Sequence, residues 1–244
     1  AADLASAEEA ELELPALITR EGVDVFHTPL WHLPAVLPCR AVVTVHDAIP
    51  ATHPHLTSEA FRPLWRRAFD EVPRADAVVC PSEHARTQVF DALDLDPGRV
   101  HVVPEAPAPV FGPRPADEVS RVLSRLEVNE PYVLVVGSIE PRKNPDGLLD
   151  ALVTLPAPER PLVLFAGPTT RAFDLPAEAA RRGVAGRARA LGLVDDAALA
   201  ALYTGALAIV CCSLVEGFGL PVVEAWACGA PVIASRTTAL GEVA

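Results

Sequence analysis

Short apolar runs alternate with helical patterns along the chain, most regularly in its second half. Strands are predicted at 132–138, 161–166, 206–212 and 231–235, with a weaker edge-strand candidate at 187–191. Helices are predicted over 145–154, 175–183 and 196–205, and from Pro221 onward. Alternating strands and helices predict a parallel sheet with helices on both faces. The strands are apolar almost throughout, which is typical of burial on both sides.

The first half shows the same alternation less regularly. Strands are predicted at 23–27, 41–46, 75–80 and 100–103, and helices over 4–21, 57–72 and 83–92. Ser82 is a favourable N-cap for the last of these helices. An α/β domain usually opens on a strand, so the helical start indicates a first domain that is incomplete at its beginning.

A proline-rich segment separates the two halves. Residues 104–115 read PEAPAPVFGPRP, with five prolines in twelve residues. Neither a helix nor a central strand continues through such a density of proline, so the segment is interpreted as a linker. We therefore predict two Rossmann-like domains, 1–112 and 113–244.

Composition narrows the class of protein. Half of the 244 residues are hydrophobic, and the formal net charge of −12 argues against a nucleic-acid binder. There is no run of 18 apolar residues and no basic leader, so neither a spanning helix nor a signal peptide is predicted. The five cysteines form no CxxC pair and are interpreted as buried free thiols in a reducing compartment, which favours the cytoplasm.

Two carboxylates bracket a glycine loop near the end of the chain. Glu216 precedes Gly217 and Gly219, and Glu224 is expected in the first turn of the following helix, which Gly229 can close. The predicted strand, loop, helix and strand place both glutamates at the carboxyl edge of a parallel sheet, where ligands bind. From the residues alone they are either a general acid/base pair or acceptors for sugar and ribose hydroxyls.

Two cations stand at another strand end of the same domain. Arg142 and Lys143 precede Asn144, a predicted N-cap, and Pro145, which opens a helix. Helix N-termini attract anions, so this loop suits a phosphate or diphosphate, although a solvated loop is the alternative.

His46 follows a buried strand of the first domain and could donate a hydrogen bond or move a proton. His53 and His55 lie nearby but lack the fixed spacing of zinc motifs, so no metal is expected. Segment 61–69, FRPLWRRAF, is interpreted as a helix packed on its sheet, with peripheral contact to a membrane surface as the alternative.

These residues resemble the family-four retaining glycosyltransferases of the GT-B fold. Residues 216–225 read EGFGLPVVEA, which is similar to the family signature of two glutamates separated by seven residues. Gly137 and Ser138, with PRKN at 141–144, resemble a subgroup motif G-S-x-x-P-R-K-N. Residues 44–47, TVHD, are similar to a first-domain segment of the family.

The resemblance implies two Rossmann-like domains facing across a cleft, the first on the acceptor side and the second binding a nucleotide sugar. The implied reaction transfers a hexose, with retention, from a nucleotide-diphosphate sugar to a polysaccharide or glycolipid acceptor. The subgroup motif favours GDP-mannose. The resemblance also implies that no cofactor or metal is required. No obligate protein partner is evident from the sequence. The implied location is the cytoplasm, with the inner face of the membrane as an alternative.

Site roles follow from the same resemblance. Lys143, helped by Arg142, would stabilise the departing diphosphate, and His46 would face the donor sugar. Glu216 would bind a sugar hydroxyl and Glu224 the ribose. A second group would lie close to the sugar and phosphate: Gly137, Ser138, Phe218, Gly219 and Leu220.

The chain also departs from the family pattern. Many relatives carry arginine at the position of Ser138, and the glycine-rich loop of the first strand is missing, as is everything after Ala244. The two missing segments indicate a chain truncated at both ends. Two other hypotheses therefore stay open: a nucleotide-sugar binding module without turnover, and a GT-B phosphorylase or epimerase.

Overall fold

The computed structural model describes residues 13–30, 33–57, 59 and 62–244. Its residue contacts separate the chain into two compact units, Ala1–Pro104 and Glu105–Ala244, and each is described by itself. The start of the predicted helix 4–21 and residue 61 of the arginine-rich segment lie outside the described residues.

A four-stranded parallel sheet forms the centre of the first unit, in the order β1-β2-β3-β4. Its strands are β1 Val25–Thr28, β2 Arg40–Thr44, β3 Ala77–Cys80 and β4 Val100–Val102. Val43 and Val78 are fully buried in its core. All four strands were predicted, because each is a short run of β-branched or apolar residues with polar ends.

The predicted helices 4–21, 57–72 and 83–92 are present among the described residues, although the second begins at Arg62 and not at residue 57. The helices of this unit are α1 over 13–21, α2 Ile49–Thr52, α3 Arg62–Glu71 and α4 Glu83–Ala92. Ser82 caps α4 by accepting a bond from the Ala85 N–H at 2.9 Å. The short helix α2 was predicted as a loop. It forms because the Asp47 side chain accepts the Ile49 N–H at 2.9 Å, and Pro50 suits a first helical turn.

The second unit contains a five-stranded parallel sheet in the order β7-β6-β5-β8-β9. Its strands are β5 Tyr132–Val136, β6 Leu162–Ala166, β7 Ala188–Gly192, β8 Ala208–Cys211 and β9 Val232–Ala234. Every residue of β6 is buried, as expected for an inner strand with helices on both faces. The 187–191 candidate is indeed an edge strand, β7. The predicted α/β class with two parallel sheets is confirmed.

The helices of the second unit alternate with these strands. They are α5 Ala116–Arg125, α6 Pro145–Thr154, α7 Leu175–Arg181, α8 Asp196–Gly205, α9 Leu220–Ala227 and α10 Leu240–Val243. Asn144 and Asp195 cap α6 and α8 as predicted, each accepting the N–H three residues on. The sequence pattern did not predict α5 or α10.

The division between the units falls at Pro104, inside the segment predicted as a linker, whereas the predicted boundary lies near residue 112. The later part of that segment packs on the second unit. The Phe111 ring meets Tyr203 edge-on with centroids 5.9 Å apart, and the Arg114 N–H donates to Thr204 Oγ1 at 3.2 Å.

Two further sequence predictions concern surface chemistry. The five cysteines are free thiols, but only Cys80 and Cys228 are fully buried, while the other three are half-buried. Across the described ranges, no helix combines the length and apolar character needed to cross a membrane. On α3, Trp65 and Phe69 stack with centroids 6.3 Å apart, and the membrane contact stays a prediction.

Candidate donor-binding site

The candidate site forms at the carboxyl ends of β5 and β8, which are neighbours in the sheet. Strand β8 ends at Cys211, and the loop 212–219 then leads into α9. Gly219 has φ +121, and a Cβ there would lie 2.8 Å from Leu240 Cδ2. Glycine is therefore required at this position both for the backbone conformation and for close packing.

Gly137, directly after β5, leaves room for the lysine side chain. It has φ +118, and a Cβ there would lie 3.2 Å from Lys143 Cε. Gly167, after β6, packs against Gly137 so closely that a Cβ would lie 2.1 Å from its carbonyl oxygen. The two glycines let the strand-end loops meet and let Lys143 lie across Gly137.

The loop carrying the cations is fixed to the end of β8. Asn144, in the left-handed conformation with φ 56, caps α6 and donates through Nδ2 to the Cys212 carbonyl at 3.2 Å. The Arg142 carbonyl accepts the Leu214 N–H at 2.9 Å. These bonds connect two strand-end loops about 70 residues apart in the sequence.

Glu216 is the centre of a charged cluster. Its Oε1 accepts bonds from Lys143 Nζ at 2.5 Å and Ser213 Oγ at 2.6 Å, and its Oε2 accepts Arg142 Nη1 at 3.0 Å. The side chain is only 14% exposed. Although burial acts to raise its pKa, the positive charges of Lys143 and Arg142 hold the pKa of Glu216 below its usual range. Glu216 is therefore an ionised acceptor at neutral pH, which argues against a role as a general acid.

The two cations of the cluster are engaged differently. Arg142 donates from Nε and Nη2 to Glu140 Oε1, at 3.2 and 2.9 Å, and from Nη1 to the Val215 carbonyl as well as to Glu216. Lys143 Nζ donates to Glu216 alone among the residues that the structure describes. An ammonium carries three N–H donors, so Lys143 can still bind an anion while Arg142 holds the loop and the carboxylate in place.

Glu224 lies on α9 in different surroundings. It is the fifth residue of the helix, which begins at Leu220, so it lies just past the first turn in which it was predicted. Its Oε2 accepts the Tyr203 hydroxyl at 2.7 Å. Burial raises the pKa of Glu224, although the tyrosine hydrogen bond acts to lower it. Gly229 ends the helix with φ 76, as predicted.

The remaining predicted residues of the second unit surround the same strand ends. Ser138 is half-buried directly after Gly137, and Phe218 is buried in the loop before α9. Leu220, the first residue of α9, is exposed. Gly137, Lys143, Glu216 and Gly219 are thus brought together, while Glu224 is held one helical turn farther along.

His46 belongs to the first unit and is exposed in the loop after β2. Its Nε2 lies 2.8 Å from the Pro29 carbonyl oxygen. A carbonyl only accepts, so Nε2 carries the proton in this contact. The structure confirms that His46 stands at a strand end, and its predicted role toward a donor sugar stays a prediction.

Sequence reasoning missed several residues that complete the site. Ser213 and Glu140 bind the charged cluster, Tyr203 binds Glu224, and Thr238 Oγ1 accepts the Glu216 N–H at 3.3 Å. Thr238 has φ 58, an unusual conformation for a β-branched residue. One signal was available: Lys143 is the only lysine of a chain whose lysines and arginines number twenty. A lysine kept amid such an arginine bias indicates a position where arginine is not equivalent.

Comparison with known families identifies the family of the chain. The chain belongs to the glycosyl transferases group 1 family, whose model matches residues 117–244. The model of Glycosyltransferase Family 4 matches residues 9–106. The predicted family is confirmed.

Curated relatives cover most of the chain. The O-antigen chain mannosyltransferase B of Escherichia coli is 33% identical over 228 residues, 90% of this chain and 58% of the relative. The D-inositol 3-phosphate glycosyltransferase of Mycobacterium bovis is 33% identical over 218 residues, 86% of this chain and 44% of the relative. The chain thus spans about half the length of these relatives.

Solved structures share the fold. Sucrose-phosphate synthase of Thermosynechococcus elongatus has a TM-score of 0.72 at 22% identity, covering 94% of this chain and 60% of that chain. Anabaena HepE, solved in complex with UDP and glucose, has a TM-score of 0.69 at 22% identity, covering 84% of this chain and 55% of that chain. The likeness confirms the predicted GT-B fold class.

Proposed function

We propose that this chain carries the donor site of a retaining glycosyltransferase. The reaction moves a hexose from a nucleotide-diphosphate sugar to a polysaccharide or glycolipid acceptor on the cytoplasmic side of the membrane. The observation that carries the proposal is the cluster of Glu216, Lys143 and Arg142 at the carboxyl ends of β5 and β8, where parallel sheets bind ligands.

Lys143 is the cation that meets the diphosphate. Its ammonium is held at Glu216 and next to Gly137, and two of its three N–H donors have no described partner. As the bond from the anomeric carbon to the diphosphate oxygen breaks, negative charge grows on that oxygen. A fixed ammonium stabilises this charge without rearranging. Arg142 contributes by keeping Glu216 in place.

Glu216 accepts a hydroxyl of the donor sugar. The pKa of Glu216, held low by the two cations, makes it an acceptor rather than a proton donor. We assign the main chain at Phe218 and Gly219, in the same loop, to the sugar and phosphate. Glu224 accepts the ribose hydroxyls, and Ser138 and Leu220 border the same site. His46 is assigned to the sugar on the basis of the family motif. The acceptor hydroxyl then bonds to the anomeric carbon on the face that the diphosphate leaves, and its proton passes to the departing diphosphate oxygen.

GDP-mannose is the donor that we favour. Support comes from the Escherichia coli relative, which is named a mannosyltransferase of the O-antigen chain, and from the G-S-x-x-P-R-K-N motif. The HepE structure, which contains UDP and glucose, keeps a uridine donor as the competing hypothesis. The nucleotide sugar acts as a substrate, and no further cofactor is proposed.

Calorimetric titration of the chain with GDP-mannose, GDP-glucose, UDP-glucose and UDP-galactose tests the proposal. We expect at least one nucleotide sugar to bind, and the corresponding free nucleoside diphosphate to bind as well. Of the four donors, GDP-mannose should bind most tightly. Binding that is unchanged in the Lys143→Ala and Glu224→Ala variants would place the donor elsewhere. The absence of binding by all four donors would contradict the proposal itself.

A further inference from the structure

Tyr203 is a fully buried residue whose hydroxyl ends at the candidate site. It lies on α8, is 0% exposed, and donates to Glu224 Oε2 at 2.7 Å. The ring is fixed by edge-on contact with Phe111. A buried, rigid donor therefore holds the carboxylate of a half-buried glutamate.

The other tyrosine of the chain provides a contrast. Tyr132 is also buried, but its hydroxyl donates to the main-chain carbonyl of Leu202 at 2.8 Å. Such a bond satisfies a buried polar group and stabilises the fold. Tyr203 instead bonds a flexible side chain, and it does so at a glutamate that burial disfavours in its ionised form.

The bond leaves one carboxylate oxygen for a ligand. No described residue donates a hydrogen bond to Glu224 Oε1, whereas Oε2 is occupied by Tyr203. An ionised carboxylate oxygen accepts up to two hydrogen bonds, which matches two neighbouring hydroxyls of a ribose. Fixing Oε2 restricts the glutamate side chain, so Oε1 is oriented before the ligand arrives.

We propose that Tyr203 is a positioning residue for ribose recognition: by holding Glu224 Oε2, it orients Oε1 toward the vicinal ribose hydroxyls of the nucleotide. This inference rests on the proposed function and adds the selection of ribonucleotides over nucleotides that lack these hydroxyls. Tyr203 acts through Glu224 and does not touch the ligand.

The test compares GDP with 2′,3′-dideoxy-GDP, and UDP with its dideoxy form, by calorimetry on the full chain. The unmodified chain should prefer the ribonucleotide about 10-fold or more, the effect of one or two hydrogen bonds to a charged group. Tyr203→Phe should weaken the ribonucleotide alone and reduce that preference to about 3-fold or less. Tyr132→Phe, the matched control, removes a buried hydroxyl bonded to the same helix and should leave the preference unchanged.

A second experiment tests whether Tyr203 acts through Glu224. The double variant Tyr203→Phe with Glu224→Gln should bind no more weakly than Glu224→Gln alone, since both changes act on one interaction. The inference would be overturned if Tyr203→Phe weakened binding of the ribonucleotide and the dideoxynucleotide equally, or left the ratio of their affinities unchanged. The proposed donor site would still stand in that case. If the unmodified chain binds neither ribonucleotide, the proposed function fails, and the inference fails with it.

Discussion

The regions around Glu216 and Glu224 present the same side chain in opposite electrostatic settings. Glu216 meets two cations and a serine, and these hold its pKa low despite burial. Glu224 meets the neutral hydroxyl of Tyr203, and burial raises its pKa. One carboxylate therefore stabilises the strand-end loops as an ion, whereas burial disfavours the ionised form of the other, a penalty that hydroxyl donors of a ligand can offset.

The largest effect is expected from Glu216→Ala. Removing this carboxylate leaves Lys143 and Arg142 partly buried and repelling each other, so the free energy of unfolding should fall by about 3 kcal/mol. Urea unfolding at neutral pH measures the change. Asp117→Ala, which breaks an ion pair with Arg121 at a 77% exposed position, is the control and should cost less than about 1 kcal/mol. Equal losses of unfolding free energy in Glu216→Ala and Asp117→Ala would contradict the stabilising role of the Glu216 carboxylate.

Lys143→Ala should weaken donor binding about 30-fold, which corresponds to about 2 kcal/mol for a charge-assisted hydrogen bond. Lys143→Arg should also weaken it, because the side chain lies against Gly137 and a guanidinium does not fit the same contact. Calorimetry with GDP-mannose measures both. Arg121→Ala, an exposed cation on α5, should bind the donor normally, and full affinity in Lys143→Arg would show that charge alone matters.

The pH dependence of stability should separate the two glutamates by sign. The folded pKa of Glu216 lies below the unfolded value of about 4.5, so its contribution is present above that pH. The contribution is lost as the pH falls through the folded pKa. The stability difference between the unmodified chain and Glu216→Gln should therefore be greatest above pH 4.5 and shrink in more acidic solution, as unfolding curves from pH 3 to 7 would measure. If the stability difference between the two proteins stayed constant down to about pH 3, Glu216 would not be held ionised by Lys143 and Arg142.

Glu224→Gln should change the free energy of unfolding least, and in the direction opposite to Glu216→Ala. The folded pKa of Glu224 lies above the unfolded value, so stability is lost as the pH rises from the unfolded to the folded pKa. Replacing the carboxylate with an amide at neutral pH should raise the free energy of unfolding by no more than about 1 kcal/mol. Thermal unfolding at neutral pH checks this, and a loss of stability comparable with that of Glu216→Ala would remove the contrast.

Local signals in the sequence predicted most of the fold. The starts of α6 and α8 were predicted correctly from Asn144 before Pro145 and from Asp195 before an alanine-rich run. Helix caps are predictable because a capping side chain bonds an N–H only a few residues away. Helix α5 was not predicted, because no element was assigned between the proline-rich segment, which ends at residue 115, and the strand at 132–138. Val122 and Leu123 of this helix pack against the hydrophobic core of the second unit.

The site was predictable only in part, for a related reason. Strand-end logic placed Lys143, Glu216 and Glu224 in one domain, since parallel strands present their carboxyl ends together. The partners of the two glutamates were not predictable, because Tyr203 and Thr238 reach them from a neighbouring helix and a later loop. Such contacts depend on tertiary packing rather than on spacing along the chain.

The central claim, that Lys143 meets the diphosphate of a donor, has a direct test because Lys143 is the only lysine. Reductive dimethylation followed by mass spectrometry reports its reactivity, with the N-terminal amine of the chain as an internal reference. We predict that saturating GDP-mannose or GDP slows modification of Lys143 strongly and leaves the N-terminal amine unchanged. Equal modification of Lys143 with and without bound nucleotide would contradict the account.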